Sequence, residues 1–259
     1  MAGFLFHEVV FGPVRSRRLG LSLGINLLPL DIKYCSFNCI YCECGWTPWN
    51  LPHHPGFPSR EEVGRFLELR LQQLVAENHM PDALTYAGNG EPTLHPEFAG
   101  IVEDTMVLRD KYVPDAKVTV LSNASRINIP AVFQALGKLD NNILKLDAGS
   151  EKMFTLINNP EDTISFPTLI EGLKKFRGDV IIQSMFLRGT YKGGLIDNTT
   201  AMEVDEWLQH LKEINPKMVM IYPIARTTPV HNLEKIPFAE LSAIAEKVRN
   251  SGLNVKVYE

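Results

Sequence analysis

The chain has 259 residues, of which 45% are hydrophobic and 22% are charged, and its formal net charge is −4. This composition is that of a globular protein with a sizeable core and excludes a disordered or fibrous chain. The acidic balance argues against a broad nucleic-acid-binding face, and no apolar run approaches the roughly 20 residues of a membrane span. The four cysteines form one group, not a disulfide framework, so we expect a reducing, cytoplasmic location.

Short apolar runs alternate with amphipathic stretches along the chain. Runs rich in β-branched and large apolar residues predict strands over 22–28, 83–88, 117–122, 143–148, 180–186 and 218–223, with a closing strand over 254–258. Helical periodicity predicts helices over 59–78, 95–112, 129–139, 166–176, 201–214 and 238–252. The first helix begins with a capping box of Ser59 and Glu62, and the last ends at Gly252.

This repeated alternation predicts a parallel α/β fold, which is compatible with a doubly wound sheet or a barrel. Polar residues follow five of the predicted strands, at 88–91, 122–123, 147, 188 and 226. The loops after all barrel strands converge on one face, whereas an open sheet gathers only some of them. We therefore predict a partial (β/α)6 TIM-like barrel of parallel strands with flanking helices. We expect one domain over 1–259, with an N-terminal flanking segment (1–18), a barrel core (19–230) and a C-terminal helix and strand (231–259).

All the cysteines lie in KYCSFNCIYCECGW, residues 33–46, and three follow the spacing Cys35-xxx-Cys39-xx-Cys42. Structural zinc needs four ligands, usually from two separated knuckles, and the fourth here would be Cys44, His53 or His54. A [4Fe–4S] cluster fits the spacing better, because each thiolate binds one iron and the fourth iron stays open to a substrate or cofactor. Four unrelated buried cysteines are a third, less favoured interpretation.

The motif CxxxCxΦC, with Tyr41 as the aromatic residue, resembles the radical S-adenosylmethionine (SAM) superfamily. GNGEPT (88–93) is similar to that superfamily's GGE-type motif. Segments 12–26, 145–149, 181–189 and 221–229 are similar to its small wyosine-synthase-like iron–sulfur oxidoreductases. The resemblance implies an enzyme that holds a [4Fe–4S] cluster on Cys35, Cys39 and Cys42 and SAM on the open iron. It implies reductive cleavage of SAM to methionine and a 5′-deoxyadenosyl radical, which takes a hydrogen atom from the substrate.

We expect the cofactor to contact polar residues that follow the strands, although each also has a purely structural explanation. Paired glycines permit close backbone approach, and a carboxylate suits the SAM ammonium group. The expected cofactor-binding residues are Tyr41, Gly88, Asn89, Gly90, Glu91, Ser122, Asn123, Asp147, Gln183 and Arg188. The expected substrate-binding residues are Arg17, Arg18, Tyr222 and Arg226. A turn, a helix cap, a core amide or a surface ion pair is the alternative role for these residues, and the sequence identifies no catalytic residue.

The sequence favours a small-molecule or peptide substrate. A tRNA-modifying enzyme and a glycyl-radical-enzyme activase are the enzymatic alternatives, and RNA is less favoured because the only dense basic segment is Arg15, Arg17 and Arg18. A zinc-stabilised binding module and a simple electron carrier are the non-enzymatic alternatives. No cysteine follows Cys44 and no flavodoxin domain fits the length, so we expect one cluster and a separate one-electron reductant, flavodoxin or ferredoxin.

Overall fold

A computed structural model describes residues 3–48 and 56–259, which contain ten strands and seven α-helices. The strands are β1 (Val10–Ser16), β2 (Gly20–Ile25), β3 (Ala83–Tyr86), β4 (Lys117–Ser122), β5 (Asn141–Lys145), β6 (Ile181–Tyr191), β7 (Gly194–Asp197), β8 (Met218–Pro223), β9 (Leu233–Lys235) and β10 (Val255–Val257). The helices are α1 (Arg60–Ala76), α2 (Phe98–Tyr112), α3 (Pro130–Leu136), α4 (Glu151–Asn158), α5 (Phe166–Lys174), α6 (Ala201–Ile214) and α7 (Phe238–Asn250). Within the described ranges, no helix is both long and apolar enough to cross a bilayer.

The strands form one sheet, ordered β1-β2-β3-β4-β5-β6-β8-β10. From β2 to β10 each neighbouring pair is parallel, and β1 pairs with β2 in the antiparallel direction. Strands β7 and β9 pair with the distal part of β6, which extends beyond the parallel sheet. The predicted fold class is therefore confirmed: the sheet is mostly parallel, its connections are helical, and its two end strands leave the barrel partial.

Three strands and one α-helix are too short or too irregular to be predicted from the sequence. Strand β1 has the sequence VFGPVRS, whose Gly-Pro and arginine obscure the strand pattern, and its register shifts between Phe11 and Val14. Strands β7 and β9 have four and three residues, which is too short for a period-2 signal, and α4 has eight residues. All six predicted helices are present, and Ser59 and Glu62 form the predicted capping box of α1.

Apolar side chains pack on both faces of the sheet. The larger core lies between the strands and the helices and includes Leu67, Leu71 and Trp207, each at most 1% exposed. A smaller cluster of Ile143, Ile181 and Met220 comes from neighbouring strands β5, β6 and β8, and Leu19 from the β1–β2 turn packs against it. Residues on one face of a strand alternate with those on the other, so this second cluster fills the inner face of the partial barrel.

The cysteine loop, defined as residues 33–46, follows β2 and is fixed by backbone pairing to the segment after β3. The Tyr34 amide donates to the Asn89 carbonyl at 2.8 Å, and the Glu91 amide donates to the Tyr34 carbonyl at 3.2 Å. Gly90 lies between these bonds with φ of +142°, and a Cβ added there would stand 1.9 Å from the Tyr34 oxygen. Only glycine permits this approach of the two loops.

Replacing Gly90 with alanine should therefore displace the cysteine loop. We expect Gly90→Ala to lower the free energy of unfolding by about 1–3 kcal/mol from backbone strain, with a further loss from the broken loop pairing. Gly64→Ala is the matched control, because Gly64 is helical with no heavy atom within 4 Å of an added Cβ, and alanine there should stabilise the chain by about 0.5–1 kcal/mol. Thermal unfolding of both variants checks this, and equal stability of Gly90→Ala and wild type would contradict it.

The buried carboxylate of Glu203 on α6 holds the loop after β5. It is 4% exposed, and it accepts from the Gly149 and Ser150 amides at 3.1 Å and from the Ser150 hydroxyl. Hydrogen bonds to a charged group contribute about 1.5–3 kcal/mol, so we expect Glu203→Gln to destabilise the chain by that amount. Glu206, exposed on the same helix, provides the control Glu206→Gln, which should change stability by less than about 0.5 kcal/mol. Urea denaturation measures both, and similar values for the two variants would disprove the role of Glu203.

Candidate cofactor site

The cysteine loop places four free thiols in a region shielded from solvent. Cys39 is buried, and Cys35, Cys42 and Cys44 are half-buried. Three N–H groups point at two of the sulfurs. The Phe37 amide and the Asn123 side-chain amide lie 3.5 and 3.6 Å from Cys35 Sγ, and the Asn158 side-chain amide lies 3.5 Å from Cys39 Sγ. The buried ammonium of Lys33 donates to the Gly45 carbonyl at 2.8 Å and also lies beside Cys42.

The environments of the four thiols differ. Burial raises the pKa of Cys35 to about 12 and also raises the pKa of Cys39. The neighbouring Cys44 and the charge of Lys33 lower the pKa of Cys42 to about 5, against the opposing effect of burial. The pKa of Cys44 is raised, first by the neighbouring Cys42. Cys42 is therefore the thiol that the protein itself holds closest to the thiolate form.

The donor set fits an iron–sulfur cluster. Within residues 3–48 and 56–259, no three His, Cys, Asp or Glu side chains converge on a single point suited to one metal ion. A cluster does not need such convergence, because each cysteine binds a different iron. The N–H groups directed at Cys35 and Cys39 and the ammonium beside Cys42 are the partners that anionic sulfur ligands require. His53 and His54, the alternative zinc ligands, lie outside the described residues.

The segment Gly88–Glu91 after β3 meets the cysteine loop, but its Asn89 side chain is fully used within the protein. Asn89 is 0% exposed; its Oδ1 accepts from the Phe6 amide, and its Nδ2 donates to the Phe6 and Pro29 carbonyls, all at 2.8 Å. Its backbone amide donates to Asn26 Oδ1 at 3.1 Å. The Gly88 carbonyl accepts from the Cys44 thiol at 3.5 Å. Asn89 therefore ties the N-terminal segment to the loops around the site.

The Glu91 carboxylate joins the segments that follow β3 and β4. Its Oε1 accepts from the Thr93 amide and hydroxyl and from the Ser122 hydroxyl, at 3.1, 2.6 and 2.7 Å. Its Oε2 accepts from the Asn123 amide at 2.6 Å. Burial raises the pKa of Glu91, and these hydrogen bonds act in the opposite direction. Oε1 therefore has three donors, more than the roughly two that a carboxylate oxygen usually accepts, whereas Oε2 has one among the described residues and can accept another.

A buried polar group surrounds Asp147, past the end of β5. Asp147 Oδ2 accepts from the Tyr41 hydroxyl and from Asn158 Nδ2, the latter at 2.9 Å, and lies 3.4 Å from Lys145 Nζ. Asp147 Oδ1 accepts from the Met185 amide at 2.9 Å. Burial raises the pKa of Tyr41 well above its usual value, and the neighbouring Asp147 raises it further. Burial lowers the pKa of Lys145, but the negative groups around it, with Asp147 first, together outweigh burial and the net change is upward.

Three of the residues predicted from the sequence meet on the inner face of the barrel. The Arg18 guanidinium donates to Gln183 Oε1 at 2.8 Å, and its Cζ lies 4.8 Å from the centre of the Tyr222 ring. Gln183 is 5% exposed and stands opposite Lys145 in the β5–β6 register. Arg18 therefore reaches from the β1–β2 turn to the strands that carry the Asp147 group.

The remaining predicted arginines have different neighbours. Arg188 pairs with Glu240 and lies 3.8 Å from Asp197, so its guanidinium is engaged at the distal end of β6. Arg226 pairs with Glu43 of the cysteine loop. Arg17 is exposed in the β1–β2 turn. The structure thus brings Arg18, but not Arg188, into the polar group around Gln183.

Sequence reasoning missed Lys33, Lys145 and Asn158. Lys33 is 3% exposed and Lys145 is half-buried. The sequence pattern around a buried lysine does not differ from that around a surface lysine, so neither could be recognised. Asn158 is the last residue of α4, which was not predicted, so its contact with Cys39 could not be predicted either. The adjacency of Lys33 to the first cysteine was the one available sign.

No protein-family model matches the chain. A UPF0026 protein of Methanocaldococcus jannaschii is 34% identical over 212 residues, which are 80% of this chain and 61% of the relative. A UPF0026 protein of Helicobacter pylori is 31% identical over 225 residues, which are 84% of this chain and 67% of the relative. The chain spans less than two thirds of the archaeal relative's length.

Solved structures with the same fold include a radical SAM enzyme. A radical SAM methyltransferase from Sphaerobacter thermophilus superposes with a TM-score of 0.67 at 13% identity, over 92% of this chain and 65% of that one. Streptococcus suis SuiB bound to the precursor peptide SuiA gives 0.61 at 16% identity, over 91% and 48%. Archaeal TYW1 gives 0.56 at 11% identity, over 88% and 71%. The resemblance seen in the sequence is confirmed in the fold: the chain belongs to the UPF0026 family and has the partial barrel of radical SAM enzymes.

Proposed function

We propose that this protein is a radical SAM enzyme with one [4Fe–4S] cluster on Cys35, Cys39 and Cys42. The observation that carries the proposal is the convergence of N–H donors and the Lys33 ammonium on three shielded thiols, on a fold shared with radical SAM enzymes. When bound, the cluster and SAM together supply a 5′-deoxyadenosyl radical that abstracts hydrogen from the substrate.

The chain's own residues hold and shield this site. Glu91 Oε2 retains hydrogen-bonding capacity and is our candidate acceptor for the SAM ammonium group. Ser122 and Asn123 orient that carboxylate, and Asn123 also contacts Cys35. Asn89 binds the N-terminal segment at Phe6, and the Phe4 amide donates to the Glu43 carbonyl. The N-terminal segment therefore covers the neighbouring loops and limits the access of water to the thiols. We also propose that the cofactor pocket is lined by Gly88, Gly90, Tyr41 and Asp147.

We propose a small-molecule or peptide substrate that is bound near Arg18, Gln183 and Tyr222. Arg18 donates to a neutral amide and stacks on a phenol, and it pairs with no carboxylate in the part of the chain that the structure describes. Its charge is thus available for an anionic group, whereas Arg188 and Arg226 already pair with acids. SuiB, bound to its precursor peptide, supports a peptide by analogy of fold. Tyr222 stays in the proposal, and Arg17 and Arg188 stay as weaker candidates.

Two alternative substrates remain in the proposal. TYW1 shares the fold and favours RNA by analogy, but the chain is acidic overall. A glycyl-radical-enzyme activase would need a partner's loop, and a domain of a pyruvate-formate lyase-activating enzyme from Bacteroides vulgatus also shares the fold. In each case the electron would come from a separate reductant such as flavodoxin or ferredoxin.

Substituting the cysteines one at a time tests the cluster ligands. We expect anaerobically reconstituted wild type to hold about four irons per chain and, with dithionite and SAM, to release 5′-deoxyadenosine. Cys39→Ala should abolish this release because one iron loses its ligand. Cys44→Ala is the matched control and should keep both cluster and cleavage. Iron analysis and chromatography measure the two quantities. A colourless, zinc-only wild type would refute the proposal and favour a binding module. An intact cluster without cleavage would favour an electron carrier.

An electrophoretic shift with total tRNA at two salt concentrations tests the substrate class. We expect no tight, salt-sensitive binding, because phosphate contacts need clustered lysine and arginine. Arg15→Ala with Arg17→Ala is the informative variant, since both side chains are exposed, and Lys138→Ala, at an exposed position just after α3, is the control. Tight binding at low salt that is lost in the double variant and kept in the control would overturn our choice and favour RNA modification.

A further inference from the structure

Lys33 is a buried cation without a carboxylate partner. The residue is 3% exposed, and its ammonium donates to the Gly45 carbonyl at 2.8 Å. An ammonium has three N–H donors, and burying a charge is costly unless that charge is paired. No carboxylate forms an ion pair with Lys33 within residues 3–48 and 56–259. The Gly45 amide in turn donates to the Cys42 carbonyl at 2.9 Å, so the ammonium is bound to the loop that carries the thiols. The charged side chains that act on it are Cys42, Cys35 and Cys39.

The second lysine near the thiols shows the contrast. Lys145 lies 3.4 Å from the Asp147 carboxylate and donates to the Tyr41 hydroxyl at 2.5 Å. The charge of Lys145 is therefore balanced within the protein. The charge of Lys33 is balanced only when the cysteine sulfurs beside it are anionic, as they are when they bind iron.

We propose that Lys33 sets the reduction potential of the cluster by acting on its cysteine ligands. In the reduction step the cluster takes one electron from an external reductant, no bond forms or breaks, and the negative charge of the site increases by one. A cation beside the sulfurs interacts more favourably with the more negative state, and hydrogen bonds to ligand sulfurs act in the same direction. Lys33 therefore favours the reduced form. This inference rests on the proposed function, because it requires that the cluster is bound.

Three variants separate the charge of Lys33 from its hydrogen bond. Lys33→Met removes both, Lys33→Gln keeps a donor for the Gly45 carbonyl without the charge, and Lys33→Arg keeps the charge. Lys138→Met is the control, because Lys138 is exposed and pairs with Glu103. The measurement is an anaerobic redox titration of the reconstituted proteins followed by EPR spectroscopy. It reports the midpoint potential without requiring turnover.

We expect Lys33→Met and Lys33→Gln to disfavour reduction at least tenfold, which lowers the midpoint potential by about 59 mV for one electron. Lys33→Arg and Lys138→Met should keep the midpoint potential of the wild type. A role confined to loop structure would lower the cluster content and leave the potential of the remaining cluster unchanged, so unchanged potentials overturn the inference. If the Met and Gln variants hold no cluster, retention by Lys33→Arg supports the charge role, and loss in all three overturns it. A wild type without a [4Fe–4S] cluster instead refutes the proposed function.

Discussion

The cysteine loop depends on its backbone pairing with the segment after β3. The loop has almost no regular secondary structure of its own, so its shape comes from neighbouring loops. The two bonds between Tyr34 and residues 89 and 91 set its start, and the Asn38 and Ile40 amides bond to carbonyls at the end of α4. Gly90 allows the first contact because any side chain there would meet the Tyr34 carbonyl. The position of the thiols is thus a consequence of parallel strands that end at one edge of the sheet.

Buried polar groups then link these loops to one another. Glu91 connects the segments after β3 and β4, and Asp147 connects the loop after β5 with α4 and β6. Glu203 on α6 accepts a hydrogen bond from the loop after β5. A buried carboxylate with several donors is costly to disrupt, so each of these links resists local opening. These side chains therefore fix the loops around the proposed cofactor site from positions that need not touch a substrate.

The sequence was sufficient for the fold class, the seven parallel strands and the cysteine spacing, because these rest on local periodicity and on a short motif. It was insufficient for β7, β9 and α4, whose lengths give no periodic signal. Among the expected site residues, Asn89 is bonded entirely within the protein, and Arg188 pairs with Glu240. Those partners are 60 to 83 residues away for Asn89 and 52 for Arg188, so no local pattern reveals them.

The three sulfurs of the motif are not equivalent. Among the described residues, Cys35 receives backbone and side-chain amide donors, and Cys39 receives the Asn158 amide alone. Asn158 is in turn held by Asp147, which contacts Tyr41 and Lys145. Lys145 stands opposite Gln183 in the sheet, and Gln183 accepts a hydrogen bond from Arg18. Cys42 instead faces the Lys33 ammonium and the Cys44 thiol. The Lys33 charge acts on all three sulfurs and most strongly with Cys42, whereas Lys145 is the main cation acting on Cys39. Iron bound by these thiolates would therefore have a different set of charges and N–H donors at each ligand.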